Sequence, residues 1–566
     1  MKTLPAAHHI YRWIALAAAA VMVLRLGAGM FVFNHTIDEP AHLGSAIALY
    51  DVGKHVLNAD HPPLARLVAG LPLWLQGVRL ADEDRTTSVR KVDAAFAAGT
   101  RLLHDDRLGY WRVLNTARGA MLIFPCVALM YVWLLGRWLV DERVAMLATV
   151  FFSLDPTLLG HGLWVTTDTS ALVGYLAAIY HGLRWMTRPT RATALALGAA
   201  LGIAAGAKFS TVAALPALLI MLLIGWRAFV AMMRQRHADR VLRPLIVHSL
   251  IIALGAIVVL WAIYLFNIGR IGNSDILASH PAWQRVPEWM KQPPVPMPSL
   301  PLGLVRQMGH AREGHTSYLL GEVRDGGWWY YFPLMFIVKT PVATLAALAA
   351  AVVAWVLALR TALRCIRDDT SARAIGLLLL TPAIVFLAMC MMGRINIGIR
   401  HLLPAVPFVY LFIAWSLTRV RLDMVLLVLM LIAGIETARV HPDYIAYHNF
   451  AAGGAENGTR YSVDSNLDWG QDTWRLAQWL HSPAAEGREY TIRLSGGRQA
   501  PLLAELGLDP AALEREPGGL LAINKRRRLL ELQDEFGWLD SVPPMHRIGY
   551  SIDVYDLDAL RDNRGD

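Results

Sequence analysis

The residues best placed to do chemistry stand in Thr36-Ile37-Asp38-Glu39-Pro40, directly after the first long apolar run, with Asp60-His61-Pro62-Pro63-Leu64 shortly beyond. Two acids at a membrane exit are suited to accepting a proton from an incoming hydroxyl or to holding a cation, because the bilayer surface excludes part of the water that would screen them. Adjacent side chains diverge in most backbone conformations, so the two carboxylates are expected to have different tasks. Asp38 is the candidate base, with Glu39 in support. Capping of a helix opened by Pro40 is the competing explanation.

Further candidates follow along the chain. His61 precedes two prolines that stiffen the backbone at a helix start, either as a structural residue or as a substrate contact. Asp168, in Val165-Thr166-Thr167-Asp168, ends an apolar span as a binding group or an N-cap. Lys208 follows a stretch with Gly202 and Gly206 that lets helices approach, and a lysine at that rim holds a phosphate as a point charge or snorkels to headgroups. Arg394, Arg400 and His401 surround a short turn, where positive charge on the outer side asks for an anionic partner such as a lipid-linked phosphate. Lys339 is a weaker member of the same set. Glu322 closes Ser317-Tyr318-Leu319-Leu320-Gly321-Glu322, ahead of the aromatic run Trp328 to Tyr331, which is an interfacial anchor or a sugar-facing surface. Asp468 and Trp469 lie in Asp464 to Asp472, a mixture of acids, amides and an indole that suits sugar hydroxyls or caps the next helix.

These groups need a membrane scaffold to position them. Of 566 residues 55% are hydrophobic and 17% charged, and many windows reach the roughly 20 apolar residues that cross a bilayer. About eleven spans are expected: Ile10–Phe33 as a retained first helix, then runs near 115–136, 143–160, 168–187, 192–207, 210–230, 244–266, 333–359, 374–392, 401–418 and 423–440. The net charge of +9 concentrates in short connections carrying Arg137, Arg143, Arg184, Arg188, Arg191, Arg227, Arg234, Arg236, Arg240, Arg243, Arg360, Arg364, Arg367, Arg373, Arg419 and Arg421. By the positive-inside rule these connections are cytoplasmic, as is the N-terminus, and loops 34–114 and 267–331 lie outside with everything after Val440. The charge therefore reports topology and anionic lipid rather than nucleic acid. Cys126, Cys365 and Cys390 form neither a disulfide framework nor a clustered metal site. Residues 1–440 read as a membrane module, and 441–566 as a small outer α/β domain with strands at Tyr490–Leu494 and Arg547–Tyr555. Pieces of Pro40–Leu80 read as helices lying on the membrane surface.

Taken together, Asp38-Glu39, His61-Pro62-Pro63-Leu64, Thr167-Asp168, Gly206-Ala207-Lys208, the 317–322 and 328–333 segments and Asp464 to Asp472 resemble, in order and spacing, the GT-C fold membrane glycosyltransferases. The resemblance is to the protein O-mannosyltransferases and lipid A aminoarabinose transferases, and within them to bacterial phospholipid-carrier-dependent glycosyltransferases. It implies a mainly α membrane protein of the bacterial inner membrane that takes a sugar from a polyprenyl phosphate and passes it to a protein, lipid or glycan. Asp38 would act as base, while Lys208, Arg394, Arg400 and His401 would meet the donor phosphate. His61, Asp168, Glu322, Asp468 and Trp469 would bind substrate. The chain lacks the mannosyltransferases' inserted lumenal domain and carries His61 where the aminoarabinose transferases have lysine. Metal dependence is left open, since some relatives of this fold use a divalent ion and others do not. A lipid or lipid-linked sugar flippase is the alternative, although such a protein usually keeps its ionisable residues near the midplane.

Overall fold

In the computed structural model the chain is mainly helical; the structure describes residues 5–85, 92–104, 107–226, 229–231, 233, 242–271, 287–364, 370–496 and 499–562. Arg227, Arg234, Arg236, Arg240, Arg367 and Cys365 lie outside the described residues.

Among the described residues five helices are long and apolar enough to cross a membrane, at His9–Phe31, Tyr110–Leu139, Leu242–Ile263, Ala374–Met392 and Ile399–Arg419. A sixth results if Tyr331–Lys339 and Val342–Ala358 form one bent span. Of the other expected runs, those at 168–187, 192–207 and 423–440 form unbroken helices of 20, 17 and 16 residues, and turn residues interrupt the rest. The first helix, α1 (Pro5–Ala28), is continuous. The run at 143–160 divides into α7 (Glu142–Ser153) and α8 (Pro156–His161), since Asp155 accepts the Leu158 N–H at 2.8 Å and caps a new helix opened by Pro156. The run from 210 starts as a 3-10 turn, and α11 occupies only Ala214–Ile224. At 333–359, Thr340 is extended (φ −104°, ψ 136°) as residues before proline prefer, so α14 (Tyr331–Lys339) ends and α15 (Val342–Arg364) leaves at 113°.

The first large loop is organised by α2 (Glu39–Asp51), α3 (Leu64–Leu75) and α4 (Val92–Leu103). Contrary to the surface-lying expectation, α2 is buried from Glu39 through Leu49 because α3 and α4 pack over it. Only α3 fits that expectation, burying Ala65, Arg66 and Ala69 while exposing Leu71 and Leu75. Behind the loop, α5 (Tyr110–Met121) and α6 (Ile123–Leu139) lead to α9 (Asp168–Thr187) and α10 (Arg191–Ala207). Helix α10 lies close against α12 (Leu242–Ile263): a Cβ on Gly198 or Gly202 would come 2.6 Å from the carbonyl oxygen of Ile252 or Ala256. That close packing fixes the end of α10 from which Lys208 projects.

In the second loop the Pro-rich stretch leads into α13 (Ser299–Glu313) and then an antiparallel hairpin, β1 (Thr316–Leu319) with β2 (Glu322–Asp325). Trp328 and Tyr331 of the aromatic run are buried, whereas Trp329 is exposed. After α16 (Thr370–Met392), α17 (Val406–Arg419) and α18 (Asp423–Ala438), short 3-10 turns from Tyr444 to Asn466 cover the end of the bundle. The buried Lys339 ammonium is consumed there, donating to the carbonyls of Ile445 (2.7 Å) and Asn466 (2.5 Å). A four-stranded sheet follows α19 (Thr473–Leu480), in the order β3 (Tyr490–Arg493), β4 (Leu520–Asn524), β6 (Ile552–Asp556), β5 (His546–Ile548). The segment expected as one strand at 547–555 is a hairpin, turned where Gly549 adopts φ 55°.

Candidate active site

Asp38 and Glu39 point into different surroundings. Glu39 is wholly buried: its carboxylate accepts from Arg118 Nε (2.9 Å) and Nη2 (2.7 Å), from the Thr36 N–H (2.8 Å) and from the Val165 N–H (3.0 Å). Arg118, on α5, also donates to the carbonyls of Phe33 and Asn34 and covers the Trp164 ring at 4.6 Å. Burial alone would raise the Glu39 pKa, but Arg118 and the N–H donors overcome it and hold the carboxyl below the usual range. Glu39 is thus a tie between the exit of α1, the α5 helix and the strap before α9.

Asp38, at the start of α2, makes no side-chain cap bond. Its carboxylate is 36% exposed and its one ion pair among the described residues is with Arg400 Nη2 at 3.5 Å. Its depth in the protein raises its pKa above the ordinary value, and Arg400 opposes that rise only partly. A carboxylate with a raised pKa is the stronger proton acceptor once ionised.

Behind Asp38 the charges alternate. Arg400 Nη1 pairs with Asp168 Oδ2 at 3.1 Å, and Asp168 Oδ1 takes the Lys208 ammonium at 2.6 Å. Asp168 therefore binds two cations instead of capping α9, although it is that helix's first residue. Arg400 is held further by Ser465 Oγ (3.0 Å) and by the Trp469 face (4.1 Å). The array borders a cavity of about 680 Å³ lined on this side by Asp38, His42, His61, Lys208, Arg400 and His401. Across it stand Arg306, Gln307, His310 and Glu313 of α13, with His315. Arg306 Nε meets Asp60 Oδ1 at 2.7 Å, joining α13 to the first loop.

Five of the expected site residues share this cavity with Asp38's array or support it: His61, Asp168, Lys208, Arg400 and His401. Four others stand elsewhere. Arg394 is exposed and donates to the Arg312 carbonyl at 2.7 Å, clasping the end of α13. Glu322 lies at the exposed tip of the β1–β2 hairpin. Asp468 is buried and accepts the N–H groups of Arg526 (2.9 Å) and Gly470 (3.1 Å), which ties it to the segment just after β4. Trp469 offers no face to a sugar because Arg400 covers one side and His161 meets it edge-on. Arg118, Arg66, His42 and the α13 residues also stand at the site or support it, without a motif of their own in the sequence. Only the spacing of Asp38 to His42, one helical turn, could have flagged any of them.

Among the described residues no three His, Cys, Asp or Glu side chains are arranged to hold a metal ion; of the acids at the cavity, Asp38 and Asp168 pair with Lys208 and Arg400, and Asp60 with Arg306.

Residues 113–270 match the family described as dolichyl-phosphate-mannose-protein mannosyltransferase. The Saccharomyces cerevisiae protein O-mannosyltransferase Pmt1-Pmt2 complex bound to the sugar donor is 12% identical, with a TM-score of 0.50 over 85% of this chain and 93% of that one. ArnT from Cupriavidus metallidurans bound to undecaprenyl phosphate is 11% identical, with a TM-score of 0.45 over 95% and 97%. The Archaeoglobus fulgidus oligosaccharyltransferase in its apo form is 11% identical, with a TM-score of 0.43 over 92% and 70%. No curated protein sequence matches significantly. Helical bundle, buried first loop and cavity define a GT-C membrane fold. Within that class, the segment 113–270 is similar to the protein O-mannosyltransferase family.

Proposed function

We propose that the protein transfers a sugar from a polyprenyl-phosphate carrier to an acceptor, with Asp38 as the base. The observation that carries this reading is one cavity wall on which a partly exposed carboxylate adjoins the Lys208–Asp168–Arg400 array. The acceptor's O–H or N–H would give its proton to Asp38 while its lone pair attacks the anomeric carbon. The bond from that carbon to the phosphate oxygen breaks, the electron pair leaves with the phosphate, and Lys208 and Arg400 stabilise the charge. A single displacement of this kind inverts the anomeric centre. The matched family's description, which names a dolichyl-phosphate sugar, supports the donor class. The basic connections support a cytoplasmic N-terminus and a cavity on the outer face of a bacterial inner membrane.

The test is reconstitution in bilayers with polyprenyl-phosphate sugars and extracted envelope acceptors, reading release of free polyprenyl phosphate. Release is expected to require acceptor and to fall about 100-fold or more in Asp38→Asn. Equal release from both proteins would remove Asp38 from the mechanism. No release with any donor, accompanied by lipid movement between leaflets, would instead favour a flippase.

A further inference from the structure

Helix α3 contributes a wholly buried arginine that the mechanism above does not use. Arg66 donates from Nε to His42 Nδ1 at 3.3 Å, and from Nη1 to His55 Nε2 (2.7 Å) and to the carbonyls of Asn58 (2.6 Å) and His61 (3.2 Å). A guanidinium only donates, so the His42 Nδ1 must present its lone pair and the neutral ring must carry its proton on Nε2. Since Nδ1 is turned to Arg66 and the ring lines the cavity, Nε2 is the ring nitrogen left to meet a ligand there.

Protonating Nδ1 would set two donors head to head and place a second cation against Arg66. Burial and Arg66 accordingly hold the His42 pKa well below its ordinary value, with Lys208 and Arg400 acting in the same direction and Asp168 against it. His42 follows Asp38 by one turn of α2, its backbone N–H donating to the Asp38 carbonyl at 3.3 Å, and its ring stacks on His61 at 5.9 Å. The base and an imidazole N–H therefore occupy one helix face beside the cations.

We propose that His42 donates its Nε2–H to the carrier phosphate, and that Arg66 is the positioning residue that fixes the donating tautomer. The inference rests on the glycosyltransferase reading of this cavity. A neutral donor gives the phosphate a directed hydrogen bond without disturbing the charge balance of Lys208, Asp168 and Arg400.

Binding of undecaprenyl phosphate to the full-length protein in nanodiscs tests this with wild type, His42→Leu, His42→Gln and Arg66→Met, each checked for cooperative thermal unfolding. His42→Leu is expected to weaken binding about tenfold or more, as loss of a hydrogen bond to a charged group does. His42→Gln, which keeps an N–H of similar reach, should stay within about threefold of wild type. Arg66→Met releases the tautomer, so the imidazole can turn a lone pair instead of its N–H to the phosphate, and binding should weaken by less than in His42→Leu. Equal affinities for wild type and His42→Leu would overturn the proposal, and so would Leu and Gln variants that are equally weak. Absence of binding by the wild type would instead overturn the donor reading on which it rests.

Discussion

Asp38 and Glu39 are chain neighbours whose side chains do opposite things, and substitution separates them. Glu39→Gln removes one charge of a fully buried pair with Arg118. A buried ion left without its partner typically costs about 3–5 kcal/mol, so Glu39→Gln is expected to lower the thermal unfolding midpoint sharply and to lose activity with the fold. Asp38→Asn touches a partly exposed carboxylate with one partner at 3.5 Å. Its stability effect should stay within about 1 kcal/mol while turnover collapses. Comparing detergent unfolding curves with turnover distinguishes the two. Asp168→Asn belongs with Glu39→Gln, because it strips Lys208 and Arg400 of their shared carboxylate.

Among the secondary-structure elements, the crossing of α2 over α4 sets where Asp38 can stand. A Cβ on Gly99 would fall 1.6 Å from the Pro40 carbonyl oxygen and one on Gly44 would fall 2.5 Å from that of Ala95, so two backbones touch directly. Gly99→Ala must push α4 away from the start of α2 and is expected to cost about 1–3 kcal/mol, together with much of the activity. Gly119, exposed on α5 with nothing within 4 Å of its added Cβ, is the control. Gly119→Ala should be neutral or stabilising by up to about 1 kcal/mol. Thermal unfolding of the two variants side by side checks the contrast.

Across the whole molecule, the C-terminal segment closes the site from behind. The Ile37 N–H donates to the Trp469 carbonyl at 2.9 Å, and Asn34 both donates to Gly470 and accepts from the Trp474 N–H. Two acids buried at this junction have elevated pKa values, Asp468 pushed up to about 7 by burial and Asp472 to about 6 by burial and the nearby Asp443. A carboxyl whose folded value lies above its unfolded one takes up a proton on folding, so its stabilising contribution is complete below about pH 4 and lost as pH rises through about 7. Buried histidines such as His42 and His61 pull the other way, so the informative quantity is a difference. The unfolding midpoint of wild type minus that of Asp468→Asn should shift in the wild type's favour as pH falls from about 8 to 5.

Hydropathy by itself determined that this is a multi-pass helical membrane protein, because apolar run length is a local property of the chain. Residue type alone marked Asp38, Asp168, Lys208 and Arg400 as candidates for chemistry, and the broken runs at Asp155-Pro156 and Thr340-Pro341 were written in local turn signals that hydropathy averages away. Which charges meet was decided only by tertiary structure. Arg400 reaches Asp38 across 362 residues and Asp168 across 232, whereas Glu39, beside Asp38, is drawn to Arg118, 79 residues away. Asp468 and Trp469 look like a sugar platform by composition, yet packing turns one toward backbone N–H groups and the other toward Arg400. Charge and polarity state what a side chain can pair with; burial and the convergence of distant helices select the partner.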